Sequence, residues 1–403
     1  MRWFRKVMVE FVICIMASNL YAEKLDVVWE KELGDNNNFS YVAHDAVYND
    51  GALQIIGFAF DSQTQSSGKY WFWQINPDGN VISRENFHSV SNVRPSDIIF
   101  GSWKTKGMKV EQGSIYCIGK FGSNVHSFAK LGTSDKSFLK KQISVEANNV
   151  PTDVNKESAG SILKMINLSG NKFLFVGLDN KSKAIATKVD SDGDIYWHKV
   201  FDKGKISFIN DGIEIESGLI LIGCYTEGGP NNNYYEGYKC FLIRCDSEGN
   251  ILSEKSFTGG GAFPNKYPEL HRIDSNIFLV GYDKYSSRLD RIEYIVALYD
   301  NNLNLLSEKM IIDREIKNPI FAHISPVSTG GFIIAYNDSI TKITVSKYSG
   351  TGEILATLSL DNYVVIDDFR IVGSDNKYFV IALSMPTKPN NLVKTKIAAL
   401  TVE

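Results

Sequence analysis

Ile185-Ala-Thr-Lys-Val-Asp-Ser-Asp-Gly-Asp-Ile-Tyr-Trp-His-Lys-Val-Phe201 reads as a strand, a tight turn and a second strand. Ile185 to Val189 mixes apolar and β-branched residues, which suit a pleated surface. Asp190 to Asp194 supplies the turn, because Asp side chains bond nearby backbone and Gly193 accepts a positive φ without steric cost. Ile195-Tyr-Trp197 then resumes extended chain, so the stretch predicts a hairpin.

The outline returns along the chain. Trp71-Phe-Trp-Gln-Ile-Asn-Pro-Asp-Gly-Asn-Val-Ile82 and Phe241-Leu-Ile-Arg-Cys-Asp-Ser-Glu-Gly-Asn-Ile-Leu252 are close copies. Ile295 to Leu306 keeps both strands without the Gly, and Phe128 to Leu139 and Val345 to Leu355 follow the same outline more loosely. A polar residue precedes the last apolar residue of the leading strand in most copies: Gln74, Lys130, Lys188, Arg244 and Lys347. Unrelated strands do not keep such a register, so the copies are repeats of one unit.

A second element precedes each hairpin, a turn followed by an apolar strand. These strands end at Gly57, Gly119, Gly177, Gly223, Gly281, Ala335 and Ala382, spaced 46 to 62 residues apart. A further short strand lies before each, as in Ala43 to Tyr48 or Ser161 to Ile166. Each unit therefore has four strands, and no stretch sustains apolar residues at the helical period. The expected fold is all-β, a seven-bladed β-propeller of four-stranded antiparallel blades. Its middle strands are apolar on both faces, as blades sandwiched between neighbours require.

The two ends predict how the ring closes. The seventh unit stops at its third strand, Lys396 to Glu403. The segment Leu25-Asp-Val-Val-Trp-Glu-Lys-Glu-Leu33 matches the outer strand Asp194 to Phe201, Trp29 aligning with Trp197. The last blade should thus be closed by the N-terminal strand, which removes two exposed edges.

Residues 1–22 stand apart. Arg2, Arg5 and Lys6 precede a mostly apolar run from Val7 to Met16, and Ala22 ends a small, polar stretch. This reads as a signal peptide cut after Ala22, leaving 23–403 as a single β-propeller domain. The apolar run is too short to span a bilayer, so no membrane span is expected after cleavage. The implied location is secreted or periplasmic. The whole chain carries 43 basic and 46 acidic side chains, and loss of Arg2, Arg5, Lys6 and Glu10 leaves a net charge of −5. Mixed signs and a negative balance argue against a nucleic-acid partner. Among the remaining cysteines, Cys117, Cys224, Cys240 and Cys245, none has the spacing of a zinc site. Cys224 and Cys240 flank the segment Thr226 to Gly237 and are the disulfide candidates, with four buried free thiols as the alternative.

On these repeats the chain resembles the secreted bacterial seven-bladed propellers whose units read strand, Asp-x-x-Gly turn, Ile-x-Trp-x-Lys. The resemblance covers residues 25–403 and implies the fold. Asp190, Gly193 and Trp197 are partly similar to the tryptophan-docking motif of quinoprotein-type propellers. The chain has no Trp-Asp dipeptide of the WD40 kind and no complete Asp-box of the sialidase type.

Propeller topology puts the short turns on one face and the long segments on the other. The long ones include Asp61 to Lys69, Thr226 to Gly237, Thr258 to Tyr267, Asp283 to Arg291 and Pro386 to Leu392. Long loops carry function more often than tight turns do. Tyr234, Tyr235 and Phe263 lie in two of them beside amides and glycines, a surface suited to sugars or peptides. A second set falls at or near the starts of the inner strands: His44, Asp45, Asp97, Asp211, His271, His323 and Asp368. Such a ring could bind a divalent cation or polarise a substrate, although any water-filled channel also needs polar lining. No catalytic motif is present, neither a Gly-x-Ser-x-Gly elbow nor a His-Glu-x-x-His helix. The expectation is an exported, monomeric binding protein without catalysis or a required cofactor, with a protein or glycan ligand on the long-loop face. The alternative is a glycan-active hydrolase or lyase using the His and Asp ring.

Overall fold

The computed structural model describes residues 24–34, 39–61, 67–91, 107–111, 114–119, 127–132, 138–142, 161–227, 238–258, 268–286, 291–315, 321–328, 330–365, 369–374, 377–384 and 394–402. The described residues form strands in seven antiparallel sheets and no helix. In each of the first six sheets, four consecutive strands pair in chain order from the inner to the outer edge. The inner strands are Phe39–Asn49, Met108–Glu111, Ser161–Leu168, Ile206–Ile215, Glu269–Arg272 and Ala322–Pro326. The seven sheets are the blades of a β-propeller.

The seventh blade differs at both edges. Its inner edge is broken into Tyr363–Val364 and Arg370–Ser374, both paired with Lys377–Ser384. Its outer edge is the N-terminal strand: Leu25 pairs with Val402 and Leu33 with Thr395, with one bulge between Val27 and Trp29. Leu25 and Leu33 are buried at the two ends of this strand. Trp29 sits where Trp197 sits in its own blade. Its Nε1 donates to Pro77 O at 2.7 Å in the turn of blade 1, and Trp197 Nε1 donates to Ser247 O at 3.0 Å in the turn of blade 4. Gly79 and Gly249 have φ of 83° and 76°, a conformation glycine adopts freely, and a Cβ on either would lie about 3 Å from the neighbouring indole.

The core lies between blades. One cluster joins Leu33, Ile381, Ile397 and Ala399 of blade 7 to Tyr41, Ile55, Trp71 and Trp73 of blade 1. Another joins Ile220, Ile222 and Leu242 of blade 4 to Leu270, Phe278 and Tyr299 of blade 5. The glycine ending a second strand has a packing reason: a Cβ on Gly223 would meet the Phe241 ring at 2.5 Å and Phe208 O at 2.2 Å. The aromatic ring of the third strand lies over that gap.

The fixed polar register seen in the repeats is also a contact between blades. Lys188 Nζ donates to Ser247 O at 3.0 Å, Arg244 donates to Asn302 Oδ1 at 2.7 Å, and Lys130 lies 3.6 Å from Asp192. Each reaches the turn of the following blade. At the rim, the outer strands of blades 1 and 3 to 7 each open on a bulge. The bulge leaves adjacent apolar residues exposed, such as Ile195 and Tyr196 at 60% and 57% or Ile251 and Leu252 at 47% and 53%.

Candidate functional site

The inner strands converge on a cavity of ≈ 290 Å³ lined by residues of all seven blades. Its walls are built by a recurring local irregularity. In Ile206–Ile215 the register jumps from Ile209 opposite Gly223 to Asp211 opposite Ile222. A bulge of this kind re-aims the next side chain. Asp211 Oδ1 accepts Gly212 N at 2.7 Å, and its Oδ2 accepts Leu270 N of blade 5 at 3.0 Å. Lys164 Nζ of blade 3 lies 2.6 Å from Oδ1. One carboxylate thus ties three blades together.

Asp45 repeats the arrangement in blade 1. It follows a bulge after Ala43, accepts Ala46 N at 2.9 Å and Gly107 N of blade 2 at 2.5 Å, and lies 3.7 Å from Arg370 Nε of blade 7. Glu269 of blade 5 makes the third clamp. Its Oε2 accepts Ile324 N of blade 6 at 3.1 Å, and its Oε1 is hydrogen-bonded to His323 Nδ1. A carboxylate only accepts, so Nδ1 carries the proton in this pair. The His323 ring is set edge-on to Phe369, 5.0 Å away at 89°. His271 Nε2 lies 3.5 Å from Glu269 Oε2. Tyr294 is buried nearby, and burial, then the charges of Glu269 and Asp283, pushes its hydroxyl well above the usual tyrosine value.

These contacts decide what the ring can do. Buried carboxylates are tolerated when they are paired and hydrogen-bonded, as Asp45 and Asp211 are. Both are engaged as acceptors for backbone amides and a neighbouring cation, which leaves them poorly placed as general bases. Glu269 is engaged in the same way, by Ile324 N and His323, with the His271 imidazole 3.5 Å from it at the cavity. Among the described residues no three His, Cys, Asp or Glu side chains converge as a metal site would require.

Of the residues singled out in the sequence, Asp45, Asp211, His271 and His323 line this one cavity. Asp97, Tyr234, Tyr235, Phe263, Asp368 and the side chain of His44 lie outside the described residues. The sequence reading missed Lys164, Glu269 and Arg370, which complete the three clamps. Only the strand pairing reveals the pattern for one of them. Lys164 follows a bulge after Ile162, the same offset at which Asp45 and Asp211 occur.

Cys224 and Cys240 are directly opposed partners on adjacent strands of blade 4. Both are buried thiols with sulfur atoms 3.7 Å apart. Burial, and then the contact with Cys224, pushes the Cys240 thiol well above its ordinary value. Cys117 and Cys245 are also buried.

No protein-family model matches the chain, and no characterised protein matches it in sequence. Among solved structures it is similar to the β-propeller domain of the Trilobed protease from Pyrococcus furiosus, with TM-score 0.50, 9% identity, and coverage of 89% of this chain and 93% of that one. It is similar also to the WD40 domain of Toxoplasma gondii coronin, with TM-score 0.54, 8% identity, and coverage of 94% and 86%. At such identities the likeness is one of fold. The Pyrococcus domain has an open velcro topology, whereas here the first strand pairs with the last.

Proposed function

We propose that this propeller acts outside the cytoplasm, secreted or periplasmic, and holds a protein or glycan ligand at its long-loop face and channel mouth without turning it over. One observation carries the non-catalytic part. Asp45 and Asp211, the carboxylates best placed to serve a reaction in the channel, each accept one amide of their own blade and one of the next, and each lies beside a cation of the preceding blade. Glycan-array and protein-capture binding, run beside a glycan-degradation screen, tests the reading. Retention of a ligand with no product is expected. Turnover of any substrate that His323→Ala or Asp211→Ala abolishes would overturn it.

A second reading, hydrolysis or elimination on a glycan, draws on the Glu269–His323 pair with His271 beside it in the same cavity. The degradation screen separates the two. Export also bears on the thiols. In an oxidising compartment a disulfide-bearing oxidant would take the two electrons and two protons of Cys224 and Cys240 and leave them joined at the base of the 227–237 segment. Two reactive thiols in denatured, unreduced mature protein support that bond, and four rule it out.

A further inference from the structure

The three clamps at the channel differ in what faces the carboxylate. Asp45 lies beside Arg370 and Asp211 beside Lys164, and both of these cations keep their charge from about pH 5 to 9. Glu269 is set against imidazoles instead. His323 Nδ1 is bonded to its Oε1, and His271 Nε2 lies 3.5 Å from its Oε2. Histidine is the side chain whose ordinary charge change falls between about pH 5 and 8. Each clamp also holds one amide of the next blade: Gly107 N on Asp45, Leu270 N on Asp211 and Ile324 N on Glu269. Of the three, only the joint between blades 5 and 6 has a titrating partner among the described side chains.

The surroundings set the direction. The side chains of His323 and Glu269 are only 9% and 13% exposed. From blade 5, His323 faces Glu269, with His271 beside it, and Tyr294 near Glu269 is kept neutral chiefly by burial. From blade 7 it meets the Phe369 ring edge-on, and the following residue, Arg370, lies beside Asp45. Asp367 and Asp368 lie outside the described residues. Its own strand, Ala322–Pro326, carries no other charge. With both imidazoles neutral, Glu269 is a buried carboxylate held by neutral donors. A proton on either imidazole makes an ion pair and cancels that buried charge, which favours uptake. The two imidazoles share one carboxylate, so a second proton meets the charge of the first. The charge-assisted contact is fully made below ~6.5 and is lost as the proton leaves at higher pH.

We propose that the joint between blades 5 and 6 is a proton-sensitive element of the channel, tight when the His323–Glu269–His271 group holds one added proton and looser once that proton leaves. The joints at Asp45 and Asp211 stay closed over the same range. Glu269, His271, His323 and Ile324 all line the cavity, so loosening here alters the wall that a ligand meets. Retention is then favoured on the acid side of neutrality and release on the alkaline side. That last step rests on the binding reading above, and the joint itself does not.

Amide hydrogen exchange on the mature protein, resolved to single amides, tests this without a ligand. Protection factors, which remove the intrinsic pH dependence of exchange, are compared near pH 6 and near pH 8 for Ile324 and for Gly107. Ile324 should be at least about fivefold better protected at the lower pH, and Gly107 should change by less than about twofold. His323→Gln keeps a donor for Glu269 and does not titrate, so it should bring the Ile324 ratio down to that of Gly107. Equal ratios for the two amides in the parent, better protection of Ile324 at the higher pH, or a ratio that persists in His323→Gln would each overturn the proposal. The comparison within the parent needs no variant, so the test stands even if His323→Gln does not fold. Failure of the binding reading shows elsewhere, as no retained ligand in the array and capture experiments, and leaves these ratios as they are.

Discussion

At the channel the seven sheets converge, and at the rim they splay apart. Neighbouring blades are joined differently in the two places. The inner joints are ionic and deep: a carboxylate on one blade accepts an amide of the next and faces a cation or imidazole of a neighbour, as at Asp45, Asp211 and Glu269. The outer joints are long, half-exposed side chains laid on a turn. Trp29, Trp197, Lys188 and Arg244 reach turn carbonyls or amides of the following blade, and the bulged apolar pairs beside them stay in solvent. The gap between blades widens outward, so a short Asp can bridge it at the axis and a Trp, Lys or Arg is needed at the rim. Low dielectric near the axis makes each inner contact stronger and its loss more damaging. Water at the rim weakens each contact there.

The largest effect should come from the seam where both kinds of joint meet. Deleting residues 23–33 removes the outer strand of blade 7, bares the edge of Lys394–Val402 and takes Trp29 from the turn of blade 1. An exposed edge beside apolar surface favours aggregation. The truncated protein should aggregate or melt at least ~10 °C lower by calorimetry, well beyond the ~2–4 °C per kcal/mol of a typical larger domain. Melting like the parent would mean that the strand does not close the ring.

The next largest effect should lie in the inner ring. Asp211→Ala leaves Lys164 without its carboxylate and two amides without this acceptor; the carboxylate is buried but Lys164 keeps contact with solvent, so the cost should be about 3 kcal/mol, the low end for a buried pair. Denaturant unfolding should show it, and a loss below ~1 kcal/mol would place Asp211 with ordinary surface charges. Trp197→Ala, its counterpart at the rim, removes one indole hydrogen bond and a half-buried ring. About 2 kcal/mol is expected, below the ~3–5 of a fully buried aromatic. If Trp197→Ala costs more than Asp211→Ala, the contrast between axis and rim is reversed.

The outer strand of blade 3 adds a pH dependence. His198 bonds Thr187 Oγ1 through Nδ1 at 2.8 Å, and burial holds its imidazole below the ordinary value. The unfolded chain then binds the proton first as pH falls. The stability from neutral His198 is fully present above ~6.5 and is lost as pH drops from there through the lower folded value. Melting temperatures measured from pH 7.5 to 5 should fall less steeply in His198→Gln, and an identical slope would remove His198 as the cause. The smallest effect is expected from Ile251→Ser or Leu252→Ser, exposed residues whose replacement should stay within about 0.5 kcal/mol by denaturant unfolding.

The fold was legible because the repeat carries its own register. Lys188 and Arg244 hold one position in their copies because each must reach the next turn, and Trp29 matches Trp197 because both indoles dock on one. The ring was legible only in part. Asp45, Asp211, His271 and His323 stand out as polar residues in apolar strands. Their partners Lys164, Glu269 and Arg370 did not, because a contact between blades joins residues far apart in sequence and a single bulge decides which side chain turns inward. The loop aromatics posed a different problem: alternation and turn chemistry mark where strands stop and do not determine the path of the chain between them.

Pairing the first strand with the last also sets a schedule. At ~5–20 residues per second a chain of 403 residues takes about 20–80 s to synthesise. Leu25–Leu33 leaves the ribosome long before Lys394–Val402, its partner. Blades 1 to 6 can form in order as their strands emerge, while this one strand waits with both edges open. Its sequence suits the wait. Asp26, Glu30, Lys31 and Glu32 interrupt the apolar residues, and charges on an unpaired strand deter premature pairing with the wrong neighbour. The ring is a clasp whose hook is made first and whose eye is made last.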